Sequence, residues 1–255
     1  MLYFESLGLH FTLIDWVSLI AITALGGFMR GFAGFGTTLV MIPIFILFMP
    51  PVEAVLIGLT IDVIAMVPMF PSAAKNSDWK RIMPIFIGSV AATPIGVYIL
   101  YVMSDDAMRM IIALLLIGSA LLMLSGWSYN GKQSSSLSFG VGLLSGTSGT
   151  AAGIGGPPIA VYMLALGLSA DKTRSTLNTT SFIKESISAL SILYITTLEI
   201  RLLIIILILL PFMLTFAWIG AHFFRKTNET SFKKFILRFL LIIGVAIFTK
   251  TIFFN

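Results

Sequence analysis

Twice, once in each half, this chain interrupts membrane-length apolar sequence with a run of glycines. The first run reads Gly27-Phe28-Met29-Arg30-Gly31-Phe32-Ala33-Gly34-Phe35-Gly36-Thr37-Thr38. The second reads Gly142-Leu143-Leu144-Ser145-Gly146-Thr147-Ser148-Gly149, then Thr150-Ala151-Ala152-Gly153-Ile154-Gly155-Gly156-Pro157-Pro158. Hydrocarbon offers no hydrogen bonds, so backbone freed by such a break survives only under cover of protein or in a polar cavity. Paired breaks at matching positions of a duplicated membrane chain point to a transport site.

The rest of the sequence makes the membrane setting firm. Of its 255 residues 58% are hydrophobic and 11% charged, against about 25% charged in an ordinary soluble domain. The reading is an all-α polytopic membrane protein with about eight spanning helices of roughly 20 residues each. Apolar segments fall at 12–30, 37–49, 52–71, 82–102, 107–126, 137–149, 156–168, 177–198, 202–224 and 235–254. Nothing at the start resembles a removable leader. The net charge of +5 sits mostly in short loops, where the positive-inside rule accounts for it without nucleic acid. With no cysteine, and with His10 and His222 far apart, neither a metal nor another cofactor is expected.

The two glycine runs align over Gly27/Gly142, Gly31/Gly146 and Gly34/Gly149; after a short insertion Gly34-Phe35-Gly36 resumes against Gly153-Ile154-Gly155. Ile95-Gly96 matches Ile219-Gly220, and Gly118 matches Gly244. This predicts two repeats, 1–132 and 133–255, each a glycine-broken helical hairpin plus three transmembrane helices. Lys75, Lys80, Arg81, Lys132, Lys172, Arg174, Arg225, Lys226, Lys233 and Lys234 favour the cytoplasm, and Asp105 and Asp106 suit the opposite side. Only inverted topology satisfies all of them, and it requires each glycine unit to enter and leave on one side. The N-terminal stretch, with no Lys or Arg before Arg30, is then extracytoplasmic. Segments 137–149 and 156–168 are too short to span, at about 20 Å as helix. Segment 12–30 is long enough to cross, which leaves open whether the first hairpin spans or is re-entrant.

Just after each break a helix restarts, at Thr37-Thr38 and at Gly156-Pro157-Pro158, where proline suits the first turn. Each restart presents free N–H groups and about half a positive charge. Two such ends meeting would form an anion pocket from Gly34, Phe35, Gly36, Thr37, Thr38, Ser148, Gly149, Gly153, Gly155, Gly156 and Pro157, with Thr147 and Thr150 adding hydroxyls. The competing account is close helix packing through small residues. Ionisable residues at membrane depth are the second signal. Asp62, Lys184 and Glu185 each cost about 2.5–3.5 kcal/mol at a helix centre and need a partner or water. Ser181, Lys184, Ser188 and Ser191 share one helix face, with Asn178 and Glu185 beside it. Lys184 can complement an anion, with Asp62 or Glu185 as proton carrier; a structural Lys184–Asp62 or Lys184–Glu185 pair is the alternative. Arg30 is the other candidate cation, unless it snorkels to the interface.

Gly146-Thr147-Ser148-Gly149 also fits the short pattern of rhomboid-type intramembrane serine proteases, which needs a histidine base within reach. His222 is the remaining histidine and falls at a predicted helix end, while the repeat partner of Ser148 is Ala33. No catalytic residue is therefore assigned, and the chain is read as a non-enzyme. No phosphate-binding lysine motif is present, which argues against ATP-driven transport.

Gly27-x3-Gly31-x2-Gly34-Phe35-Gly36 followed by Pro43 resembles the first glycine motif of the TauE/SafE family of membrane permeases. Gly142-x3-Gly146-x2-Gly149 followed by Gly153-Ile154-Gly155-Gly156-Pro157 resembles the second. The likeness extends to Pro51, Ala54, Asp78-Trp79 and the two Ile-Gly pairs. The resemblance implies a multi-pass secondary transporter of a bacterial cytoplasmic membrane, moving small sulfur-containing anions such as sulfite, sulfoacetate or other organosulfonates. Its expected partners are a small anionic solute and the lipid bilayer, with a homodimer left open and no nucleic acid. Two departures bear on the pocket: Thr37-Thr38 stands where further glycine is common, and Thr150-Ala151-Ala152 is extra. An anion channel, a carrier of non-sulfur organic anions and a non-transporting assembly factor remain as alternatives.

Overall fold

The computed structural model describes residues 11–126, 129, 134–164, 169–196, 199–224 and 229–253. The expected repeat boundary, His10, Trp127, Lys132, Arg225 and Lys226 lie outside the described residues, as do the side chains of Lys233 and Lys234. Every regular element among the described residues is helical.

Among the described residues eleven helices follow in order. The first half of the chain holds α1 (Leu13–Ala33), α2 (Thr37–Phe45), α3 (Pro51–Met66), α4 (Phe70–Asn76), α5 (Trp79–Val102) and α6 (Asp105–Leu124). The second holds α7 (Ser135–Ala152), α8 (Gly156–Leu164), α9 (Ala170–Ile195), α10 (Ile200–Phe224) and α11 (Glu229–Phe253). Local chemistry sets several starts. Thr12 and Asp15 close a reciprocal capping box ahead of α1, while Ser104, Ser134 and Ser169 accept from the first turns of α6, α7 and α9, each satisfying a donor the helix cannot pair itself.

Among the described residues four helices, α1, α5, α6 and α10, are long and apolar enough to cross a membrane; a fifth crossing results if α3 and α4, bent by 74°, count as one. Eight were expected. The shortfall is compositional: α7 and α9 have 18 and 26 residues, long enough to cross, but α7 is rich in glycine and serine and α9 carries the polar stripe. Such helices can sit in a bilayer only when other helices cover their polar faces, and here Ser145, Ser148 and Thr150 of α7 and Asn178, Ser181, Lys184, Glu185 and Ser188 of α9 are buried.

Packing pairs the helices in a regular way. α1 lies along α10: a Cβ on Gly27 would strike the Met213 carbonyl, and one on Gly31 the Ala217 carbonyl. Because both numbers rise together, the two helices run parallel. In the same manner α7 runs parallel to α5, with Gly142 against Ile85 and Gly146 against Ser89. Reciprocal glycines on the partner helices, Gly220 against Phe28 and Gly88 against Phe139, complete each seam. Small residues that let backbones touch are the usual means of helix association without a hydrophobic driving force. The four N-terminal motif glycines are thus packing residues, as the competing account had it. α6 packs on α11, and α9 threads the centre, touching α3, α4 and α5.

The short helices sit inside this frame. α2 is apolar on every side and all but Ile44 of it is buried, as an all-round apolar helix must be. At nine residues each, α2 and α8 are about 14 Å long, half a membrane thickness. Each follows a long helix and turns back from it. α1, with 21 residues, is long enough to cross before its half-helix returns, and α7 has 18 before α8 returns.

Candidate functional site

Each long-helix to half-helix break is made by glycine in a left-handed conformation. Gly34 (φ 79°) caps α1 and Gly36 (φ 97°) precedes α2, while Gly153 (φ 69°) caps α7. Among the described residues no other type has positive φ, since a Cβ there crowds the following carbonyl. The break after α7 is thus Gly153 rather than Gly149, the three residues Thr150-Ala151-Ala152 extending α7 by about a turn.

The two breaks meet. Thr38 Oγ1 donates to the Gly153 carbonyl at 2.6 Å, and Phe35 lies against Gly156. The hydroxyls expected to face an open pocket are instead engaged by protein. Ser148 Oγ donates to the carbonyls of Leu144 (2.8 Å) and Ile154 (3.0 Å), and Thr150 pairs with Ser188 at 2.6 Å. Ser145, which sequence reasoning passed over, is fully buried and donates to the Gly155 carbonyl at 2.5 Å. Only its position four residues before Gly149 could have flagged it.

A cation stands at each break. Arg30 is 1% exposed, so it does not snorkel. Its Nη1 donates to the Gly34 carbonyl at 3.0 Å and to Asn178 Oδ1 at 3.4 Å. Its Nε donates to Thr37 Oγ1 at 3.1 Å and Asp62 Oδ1 at 2.9 Å, and Nη2 donates to Asp62 Oδ2. Such fork-to-carboxylate pairing is the strong form of the ion pair. Asp62, expected as a partner of Lys184 or a proton carrier, is held by Arg30 through both oxygens. Lys184, 2% exposed, serves the second break: its Nζ sits so close to Gly149 and Gly155 that a Cβ on either would collide with it.

Glu185 stands between the two cations, with Oε2 3.6 Å from Arg30 Nη2 and Oε1 4.0 Å from Lys184 Nζ. Its Oε2 is buried and accepts no hydrogen bond among the described residues. Two cations and two anions are thereby enclosed at the joint of the breaks, all under 5% exposed. α9 is the common strut. Asn178 reaches the first break and Lys184, six positions on and about 9 Å deeper, reaches the second. Ser181, between them on the same face, is buried with them. Pro157 lies in the first turn of α8, where its missing N–H leaves no gap.

A polar cavity of about 780 Å³ approaches this cluster from one end of the molecule. Asn76, Asp171, Arg174, Ser175, Trp218 and His222 line it, and Asn178 lies at its wall. Arg174 donates to the Gly31 carbonyl, so both Arg174 and Asn178 connect this cavity to the first break. Arg174 entered the sequence reading only as a topology marker; its spacing of four from Asn178 placed both on one face. His222 stacks on Trp218 at this mouth, and the Ser148 hydroxyl is engaged by the Leu144 and Ile154 carbonyls. The opposite end of the bundle carries Glu53 paired with Arg201 at 2.6 Å and Asp106 with Arg109 at 3.0 Å.

No curated protein and no solved structure matches the chain. The family model described as sulfite exporter TauE/SafE matches residues 19–247, a stretch that contains both glycine breaks, all four buried charges and the cavity lining. The chain is a multi-pass membrane protein of the TauE/SafE family of transporters.

Proposed function

We propose that this protein is a secondary transporter that carries small sulfur-containing anions, of the sulfite and organosulfonate class, through the joint of the two glycine breaks. The observation carrying this reading is the enclosed four-charge cluster, with one cation seated at each break. Buried charges are expensive in a membrane and mark solute or ion pathways. An anion at the second break would meet Lys184, the N–H groups opening α8 and the flexible backbone of Gly155 and Gly156. The first break, where Arg30 is fully committed, would serve as the wall of the site.

Two inverted repeats would supply alternating access. The exchanged packing of α1 on α10 and α7 on α5 supports this, as does the direction of the breaks: α2 returns toward Arg109, which donates to the Ile46 carbonyl, while α8 returns toward the start of α7, where Ser138 pairs with Tyr162. The units therefore enter from opposite ends. The cavity opens beside Arg174 and the end of α4, close to the α4–α5 turn that Lys75, Lys80 and Arg81 flank, so on the positive-inside rule the chamber would face the cytoplasm and the start of α1 would lie outside.

The test is flux of labelled methanesulfonate and sulfite in proteoliposomes. Gly155→Ala, which drives a methyl into Lys184 and the Ser145 carbonyl, should abolish flux. Gly140→Ala, where a Cβ meets nothing within 4 Å, should leave it intact. Normal flux through correctly folded Gly155→Ala protein overturns the site.

A further inference from the structure

Resting on that reading, we propose that Glu185 is the proton carrier, and that its protonation releases Lys184 to bind one singly charged sulfonate-type anion, so that one proton and one anion cross together. The two buried carboxylates are not equivalent. Asp62 has both oxygens in the grip of Arg30, a group that stays charged at any physiological pH. Glu185 has neither oxygen so held: its contacts to Arg30 and Lys184 are 3.6 and 4.0 Å, and Oε2 accepts no hydrogen bond. A proton can therefore add to Oε2 without breaking a hydrogen bond, whereas protonating Asp62 would dismantle the first break.

The charge count then dictates coupling. Among the described residues, the charged groups facing Glu185 are Arg30 from α1, Asp62 from α3 and Lys184 on its own helix. With both carboxylates ionised the cluster is neutral. A proton on Glu185 Oε2 leaves it at +1, with Lys184 lacking its counter-ion beside Gly149 and Gly155. A monoanion at that ammonium restores neutrality. Movement of a net charge through the low-dielectric interior is penalised, so only the empty ionised state and the state loaded with both proton and anion reorient readily. A single protonatable carboxylate also sets the valence: the site matches one negative charge and leaves a dianion unbalanced.

The probe is methanesulfonate, whose charge does not change with pH. Calorimetry in pairs of buffers of different ionisation enthalpy, across pH 7 to 9, should show proton uptake per anion bound by wild type that rises toward one as the pH rises, and none at any of these pH values for Glu185→Gln with binding retained. In proteoliposomes a gradient of one pH unit should drive about tenfold accumulation at one-to-one coupling. Glu185→Gln should keep methanesulfonate self-exchange while losing that accumulation, and Glu185→Asp should retain coupling, which a purely structural glutamate would not predict. The proposal is overturned if wild type binds the anion without proton uptake. It is equally overturned if Glu185→Gln still accumulates methanesulfonate in response to the pH gradient, or loses self-exchange together with accumulation. A wild-type protein that neither binds nor exchanges methanesulfonate or sulfite defeats the transport reading itself, a result distinct from these.

Discussion

The two glycine breaks use one backbone device to different ends. At the first, Arg30 is clamped by Asp62, Thr37, the Gly34 carbonyl and Asn178, and the left-handed glycines leave the guanidinium no slack. At the second, Lys184 rests against bare Cα atoms with one ionic contact, at 4.0 Å. The same backbone turn thus carries two kinds of side chain: a fixed brace at the first break and a cation with no clamp at the second.

Four substitutions probe the asymmetry, and a fifth calibrates it. Asp62→Asn should have the largest effect on stability, about 3–5 kcal/mol, because it strands a buried guanidinium; a detergent-solubilised melting curve close to wild type would break the comparison. Gly155→Ala comes next: overpacking against Lys184 and the Ser145 carbonyl should cost about 1–3 kcal/mol and extinguish flux. Gly36→Ala should cost about 1–2 kcal/mol from its left-handed φ alone, since its Cβ meets only the Met29 methyl at 3.6 Å. Lys184→Met should cost less stability than Asp62→Asn, about 1–2 kcal/mol, because a proton on Glu185 restores neutrality once the ammonium is gone, yet remove flux; a loss as large as that of Asp62→Asn would make Lys184 a brace like Arg30. Gly118→Ala, in open space within α6, should stabilise by about 0.5–1 kcal/mol and leave transport untouched.

Much of this was legible in the chain. Apolar runs and glycine spacing predicted the helices and their breaks, because lipid forces backbone pairing to be local and so visible in sequence. The polar face of α9 followed from helical periodicity alone, and Lys184, Asn178 and Ser181 do lie buried together at the breaks. What periodicity could not supply was pairing across elements. Asp62 was matched with Lys184 because both looked central to their segments, but Arg30 reaches it from 32 residues away. Nor could spacing divide the glycines by task. Gly27, Gly31, Gly142 and Gly146 serve helix seams, while Gly34, Gly36 and Gly153 turn the chain; the distinction lies in what each backbone touches. The hydroxyls of Ser148 and Thr150 were expected to line a cavity, but burial made them satisfy neighbouring carbonyl and hydroxyl oxygens first, as buried polar groups must.

The 2.6 Å bond from Thr38 to the Gly153 carbonyl ties the first break directly to the second. Any movement that draws the two breaks apart must cut that tie. A single neutral hydrogen bond contributes about 1 kcal/mol net, which biases an equilibrium several-fold and locks nothing. Its strength therefore suits a catch that thermal motion opens on its own, setting how often the chamber unseals rather than whether it can.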